Sequence, residues 1–327
     1  MPALRSAGAI LCFHGITSPA TPAQSEAHMS LAAFRTFIDA AREMGQLVPL
    51  RELVRRHLAG RGTGGLIAVT ADDAYASLLS DASDYLAREA IPLTVFVVTQ
   101  PAAAGTRYWW DRVDDLFPQV PRERWLQFED ACGLTDGYRW GQPARYGPLR
   151  PFRQWMLATH QGCWPAALEP ELQRLEREFG IQTAQRSMSF EELARFASLP
   201  AVDVGVHTLS HPVLPLLTDH DLGREISAAY QILREHLSGA VPILAVPFGL
   251  FDERTLNAAR AAGMEASLTL AGTTLKHYAG RDDLPRFCLC RQDRATKLRA
   301  RLTGLFDLDR WWRVAARRYP ALPSATT

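Results

Sequence analysis

The sequence predicts an α/β protein built on a parallel sheet, open or closed into a barrel, and three observations predict it. Short apolar runs such as Leu66-Ile67-Ala68-Val69 and Leu93–Val98 alternate with stretches of helical periodicity. The runs are continuously apolar, as in strands covered on both faces. The residues that carry chemistry follow directly after them, where parallel α/β folds build their sites.

The elements follow in order. Ile10–Phe13 reads as a first strand. Ser30 is placed to cap a helix with Phe34, Phe37, Ala41 and Met44 on one face and Gly45 closing it. Leu66–Val69 is a second strand, and a helix is expected from Tyr75 to about Arg88. Leu93–Val98 is a third strand, rich in β-branched residues. Further on come the strands Val202–Val206, Ile243–Val246 and Ala266–Leu270, separated by helices over Asp219–Leu237 and Glu253–Ala262.

Between Gly105 and Ser187 the alternation stops, and the composition turns to Trp, Pro and Arg. Helices around Pro121–Asp130 and Glu169–Phe179 have no strand between them, so this section reads as an insertion on one face of the domain. Residues 1–290 then form the main domain, and 291–327 a basic C-terminal helix and tail. Arg291–Arg318 carries nine Lys/Arg against three Asp, and Leu298, Leu302, Leu305, Leu308, Trp312, Ala315 and Tyr319 recur at three- and four-residue steps. The stripe either packs on the domain or, with Trp311 and Trp312, rests on an anionic membrane surface.

With 327 residues the chain can form one large domain or two ordinary ones. A net charge of +1 argues against a general nucleic-acid binder. The five cysteines are scattered without a C-x-x-C pair, which fits a reduced compartment without structural zinc. Cys288 and Cys290 are expected on one face of a strand as small hydrophobes. No run approaches the roughly 20 apolar residues of a membrane span. The expected location is cytoplasmic.

Two stretches carry the functional signal. In T-A-D-D-A-Y-A-S-L (70–78), two adjacent aspartates leave the end of a buried strand. They repel each other, and each costs several kcal/mol to desolvate without a partner. Asp73 could simply cap the helix after it; otherwise a cation waits there. In V-D-V-G-V-H-T-L-S-H-P (202–212), His207 follows a strand and His211 comes four residues later, so one helical turn would aim both imidazoles the same way. Two imidazoles and a carboxylate make a common divalent-metal site with positions open to water. A cation on Asp73, His207 and His211 leaves Asp72 as a base beside a water, the layout of metal-assisted hydrolysis.

Together with A-V-P-F-G-L-F-D-E-R-T-L, C-F-H-G-I and L-P-R-F-C-L, these stretches resemble the motifs of the polysaccharide deacetylase family (carbohydrate esterase family 4, the NodB-homology domain) in order and spacing. The resemblance covers roughly residues 8–100 and 188–290. It implies a distorted (β/α) barrel of the NodB-like type, with the helical insertion and the C-terminal helix added to it. It also implies a metal-dependent hydrolase that removes N-acetyl, or O-acetyl, groups from a carbohydrate in polysaccharide or glycolipid biosynthesis. By resemblance, Asp72 is the general base and Asp73, His207 and His211 are the metal ligands. Arg286 pairs with Asp72 and lowers its pKa, and His14 is the general acid. Pro247, Phe248 and Gly249 line the substrate groove, with the Phe248 N–H on the oxyanion. Zinc is the expected metal, and cobalt, nickel, iron or manganese suit the same donors.

Two positions depart from the family pattern: Ala71 stands for the usual Phe and Ala74 for the usual Gly. If position 74 needs a positive φ, alanine strains it, and its methyl narrows the approach to the metal. These changes keep two other readings open, a related C–N hydrolase of a small-molecule amide and a glycan binder without turnover. In Y-W-W-D-R-V-D-D-L-F (108–117), Trp110 is placed either to stack on a sugar or to anchor the insertion. His28, His57, His160, His220 and His236 read as surface residues. The expected partners are an acetylated sugar or oligosaccharide and, through the C-terminal helix, a membrane surface, with no nucleic acid.

Overall fold

The computed structural model describes residues 7–134, 149–237, 239–304 and 307. Its centre is a run of eight strands, β1 (Ala9–Phe13), β2 (Leu66–Ala71), β3 (Leu93–Val97), β4 (Val202–Val206), β5 (Ala240–Ala245), β6 (Ala266–Thr269), β7 (Asp283–Pro285) and β8 (Phe287–Cys288), and a ninth short strand, Gln46–Leu47, pairs with β2 off this path. All neighbours run parallel, in the order β7-β6-β5-β4-β3-β2-β1-β8. Only Arg286 separates β7 from β8, yet they pair with opposite ends of the order. The last extended segment therefore brings the sheet almost to closure, and the expected distorted (β/α) barrel is the fold found.

Alternation along the strands sorts side chains between two cores. Leu11, Phe13, Val69, Val95 and Val204 face the surrounding helices. Ile10, Ala68, Phe96, Ile243 and Leu284 fill the barrel. The inward series therefore continues upward from Ile10 to Cys12 and His14, and from Ala68 to Thr70 and Asp72. Those polar ends stand at the C-terminal rim.

The helix Leu31–Met44 starts at Ser30, whose hydroxyl accepts from the Ala33 N–H, and closes at Gly45. β2 runs two residues past Val69, so Asp72 is the first residue off the strand. The helix expected from Tyr75 instead starts at Leu78 as a wide turn and becomes α-helical at Ser83. The delay has a backbone cause: Asp73 (φ 67°) and Ala74 (φ 48°) are left-handed, and Tyr75 pairs antiparallel with Ser187. A helix over Leu50–Leu58 was not evident in its short, arginine-rich segment. Cys290 is not on a strand with Cys288: β8 ends there, and the Cys290 N–H donates to Asp293 in a turn.

The insertion is helical, as expected, and besides Arg122–Ala131 and Glu169–Phe179 it holds Trp109–Leu116 and Arg150–His160. It has a core of its own around Trp125, Phe128, Phe152, Trp155 and Leu172. Each such buried side chain contributes roughly 1.5–3 kcal/mol. The described part of the C-terminal helix is Ala295–Leu302, with Leu298 and Leu302 buried in the main core. Leu305, Leu308, Trp311, Trp312, Ala315 and Tyr319 lie outside the described residues. No helix among the described residues is long and apolar enough to cross a membrane.

Candidate active site

His207 follows β4, and its backbone N–H donates to the Val97 carbonyl (3.0 Å), which fixes it to the rim. The two histidines are not joined by the expected helical turn. Thr208 (φ 69°) and His211 (φ 63°) are left-handed, and the Thr208 hydroxyl accepts from the His211 N–H at 3.0 Å. Glu225 holds the loop between them, accepting from the Leu209 N–H (2.9 Å), the Ser210 N–H (3.0 Å) and the Ser210 hydroxyl (2.8 Å). The loop still brings the rings together, with centroids 4.8 Å apart.

On the facing strand, the Asp73 turn is held open by the insertion. The Tyr108 hydroxyl donates to the Asp73 carbonyl at 2.7 Å, and the Met188 N–H donates to the Ala74 carbonyl at 2.8 Å. Position 74 thus does adopt a positive φ in an alanine, a conformation that costs of order 1–3 kcal/mol unless its surroundings impose it. The Ala74 methyl does not narrow the approach to the site: it is fully buried in the helix-side core.

Asp73 Oδ1 is buried without a hydrogen-bond partner, 3.5 Å from His207 Nε2 and 3.7 Å from His211 Nε2. His207 Nδ1 lies 2.7 Å from the Ala245 carbonyl, so it carries the proton and leaves the Nε2 lone pair facing Asp73. Donors about 2.1 Å from a tetrahedral zinc stand about 3.4 Å apart. The three atoms fit a divalent cation. Burial, then the neighbouring Asp72 and Asp111, pushes the Asp73 carboxyl well up, and burial pushes both imidazoles down. A cation would favour the metal-binding form of all three. Cys12, His14 and Cys288 also converge. There the Arg286 guanidinium beside Cys12 and Cys288 opposes a second cation.

Asp72 has a different environment. Arg286, fully buried, donates to Oδ1 at 2.6 Å and to Oδ2 at 2.8 Å, and the Cys12 thiol donates to Oδ2 at 3.3 Å. Burial alone would raise this carboxyl, but the Arg286 charge outweighs it and holds the pKa well below the usual range. A carboxylate offers about four lone-pair sites. Three are taken, and one remains for a water. Oδ2 accepts two of these bonds and Oδ1 one, so the free site is on Oδ1. Oδ2 itself stands 4.0 Å from His207 Nε2, which puts the carboxylate beside the cation site.

This pair makes a stability prediction. Arg286→Met is expected to destabilise the protein by about 3–5 kcal/mol, because it strands a buried carboxylate. Adding Asp72→Asn should restore part of the loss. The sign with pH follows from the depressed pKa. The pair stabilises fully above the unfolded carboxyl value, near 3.9, and its contribution is lost as pH falls from there toward the lower folded value. Chemical denaturation of the wild type, the single and the double variant, at neutral and acid pH, measures all three. A single variant as stable as wild type at neutral pH would refute the pairing.

The remaining predicted residues gather around the same space. A cavity of about 280 Å3 is lined by His14, Asp72, Asp73, Trp110, His207, His211 and Phe248, among others. Burial drops the His14 pKa to about 4, so it is neutral at pH 7 rather than poised near neutrality, and its Nδ1 has no hydrogen-bond partner. Phe248 lies in a short 3-10 turn over Pro247–Gly249 with a left-handed backbone (φ 57°). As the second residue of that turn, its N–H is among the donors such a turn leaves without a partner. Its ring meets His211 edge-on at 4.5 Å. Trp110 stacks on Tyr108 (4.6 Å), lies against His211 (4.9 Å) and donates from Nε1 to the Tyr75 hydroxyl (2.9 Å). Trp110 therefore anchors the insertion, as one of the two expectations had it, and also lines the site.

His28, expected at the surface, is fully buried, with Nε2 2.7 Å from Asp111 Oδ1; Tyr75 donates to the other oxygen at 2.7 Å. His57 is also buried, with Nε2 2.8 Å from the Tyr278 carbonyl. The signal that could have found the first group was the aspartate of Y-W-W-D, an acidic residue in the aromatic insertion.

The polysaccharide deacetylase family model matches residues 175–267, which include His207, His211 and Pro247–Gly249 but not His14, Asp72, Asp73 or Arg286. No curated protein sequence matches the chain. Among solved structures, the Streptococcus pyogenes deacetylase PplD in complex with acetate is similar, with a TM-score of 0.57 and 13% identity over 90% of this chain and 98% of that one. IcaB from Ammonifex degensii gives 0.57 and 17% over 91% and 97%. A de-N-acetylase from Aggregatibacter actinomycetemcomitans gives 0.53 and 11% over 90% and 98%. At these identities the structural likeness is one of fold. The polysaccharide deacetylase family match thus covers residues 175–267, and the barrel around it is a fold shared with these solved deacetylases.

Proposed function

We propose that the protein is a metal-dependent hydrolase that removes acetyl groups, N-linked above all, from a carbohydrate. One observation carries the reading: a three-donor cation site and an arginine-paired carboxylate with one lone pair to spare face the same cavity. Zinc suits the Asp-His-His donors best, and cobalt, nickel, iron or manganese are compatible.

A bound divalent cation supplies charge at the acetyl carbonyl and makes a neighbouring water easier to deprotonate. Asp72 orients that water and takes its proton. The Arg286 pair keeps Asp72 ionised and fixes the direction of its free lone pair. The Phe248 N–H faces the oxygen that gains charge. His14, neutral and with an unused nitrogen, takes over the proton that Asp72 gives up and passes it to the departing amine, so that Asp72 ends ionised and His14 neutral. Glu225 and Tyr108 position the ligand loops without touching the reacting atoms.

The test is acetate release from a panel of N-acetylated and O-acetylated sugars and of small amides, with metal content measured on the same sample. Stoichiometric metal and acetate from the N-acetyl sugars are expected. Metal with turnover of small amides alone would favour the C–N hydrolase reading. Glycan binding without acetate release would favour a binding protein.

A further inference from the structure

We propose that the insertion makes this site read chain ends. The acylated unit fills the small cavity, and the units that follow lie in a second cavity on the far side of Trp109 and Trp110. The inference rests on the deacetylase reading above and specifies its substrate as the terminal residue of an N-acyl oligosaccharide.

The first observation is size and the wall opposite the site. Sites for small molecules span about 300–1,000 Å3, and the space over Asp72 and Asp73 is about 280 Å3. That is room for about one sugar ring with its acyl group. Its barrel-side wall is the site itself. The insertion supplies the opposite wall through Trp109, Trp110, Arg153 and Leu157. One side is shut by direct contact: a Cβ on Gly162 (φ 83°) would stand 2.7 Å from the Phe248 ring, so only glycine lets the insertion backbone sit there. The Gln161 carbonyl accepts from the Val213 N–H at 2.6 Å, and the Trp109 indole donates to the Gly162 carbonyl at 2.8 Å. The roof is thus bonded to the metal-loop side of the barrel and to its own aromatic core.

The second observation is the space next to it. A cavity of about 860 Å3 shares Trp109 and Trp110 with the first. Ser210, the neighbour of His211, also lies in its wall. Trp164, partly exposed, stands roughly parallel to Trp109 with ring centroids 6.1 Å apart. Gln100 and Gln173 add amide groups. Flat aromatic faces beside amides suit pyranose rings, which present C–H surfaces to the one and hydroxyls to the other. A chain whose end fills the small cavity would place its next units here.

The experiment uses the metal-loaded full chain and β-1,4-linked N-acetylglucosamine oligomers of one to six units, with the freed amine located in each product by mass spectrometry. Only a terminal unit should lose acetate, and kcat/KM should rise from one unit to two or three and then level. Trp164→Ala should remove that gain, about two- to tenfold for the longer oligomers, and so flatten the length dependence. Its folding is checked by thermal melting, with Trp164→Phe as the variant that retains the ring and most of the gain. Deacetylation of interior units at a rate comparable to the ends would overturn the proposal while leaving the deacetylase reading intact. A length dependence unchanged in Trp164→Ala would overturn the placement of the following units. Failure to release acetate from every oligomer, with metal bound, would overturn the deacetylase reading and this proposal with it.

Discussion

Alanine in place of Asp73, His207 or His211 is expected to abolish metal retention and turnover together, whereas Asp72→Asn keeps the metal and loses only the turnover. The two aspartates are neighbours in the chain, yet their surroundings assign them opposite tasks. Asp73 Oδ1 has no hydrogen-bond donor and faces two imidazole nitrogens within 3.7 Å. Asp72 is neutralised by Arg286 and has no comparable need of a cation. Removing one of three ligands leaves the other two, held in place by Glu225 and by the Tyr108 hydroxyl, too few for tight binding. Removing the charge of Asp72 leaves a side chain that cannot take a proton, a loss of about two to four orders of magnitude for a general base. Metal content by elemental analysis, beside rates on one N-acetyl substrate, separates the two effects. Loss of metal from Asp72→Asn would exchange the two assignments, and an alanine variant at position 207 that retains metal would remove His207 from the ligand set.

The separation of the two aspartates was legible as chemistry and not as geometry. Adjacent carboxylates after a buried strand demand compensation, and the H-x-x-x-H stretch offered two of the ligands. The route by which the backbone brings them together was hidden. A helical turn at His207–His211 and a helix from Tyr75 are what local periodicity suggests. The chain instead uses left-handed residues at Asp73, Ala74, Thr208 and His211, each held by tertiary contacts. Side chains with little intrinsic preference for that region conceal it from any local pattern. The barrel strands were legible because each is a continuous apolar run. Phe287–Cys288 was not, since two residues that close a sheet leave no period to read. The same limit applied to His28 and Asp111. Their contact joins positions 83 residues apart, so the aspartate of Y-W-W-D hints at a buried polar group without naming its partner.

His14→Ala is expected to keep the fold and the metal and to lose about two to four orders of magnitude in rate. An amine leaves a tetrahedral centre slowly unless it is protonated, and Asp72 is poorly suited to return the proton it has taken because Arg286 keeps its acid form short-lived. His14 stands on the same rim, lines the same cavity, and carries a buried Nδ1 without a protein partner. Its low pKa sets how it works. At neutral pH it is uncharged and holds no spare proton, so in this proposal it receives the water's proton from Asp72 and gives it up to the amine at once. The loss should therefore shrink for an activated aryl acetate, whose leaving group departs without protonation. The same burial gives a sign with pH. A histidine with a folded pKa near 4 and an unfolded value near 6.5 lowers stability as pH falls through that window, because the unfolded chain takes up the proton first. His14→Asn should flatten that part of the acid denaturation curve while slowing the sugar amide. Wild-type rates on the amide in His14→Ala would place the acid elsewhere. An unchanged acid curve in His14→Asn would show that the imidazole is not held neutral by burial.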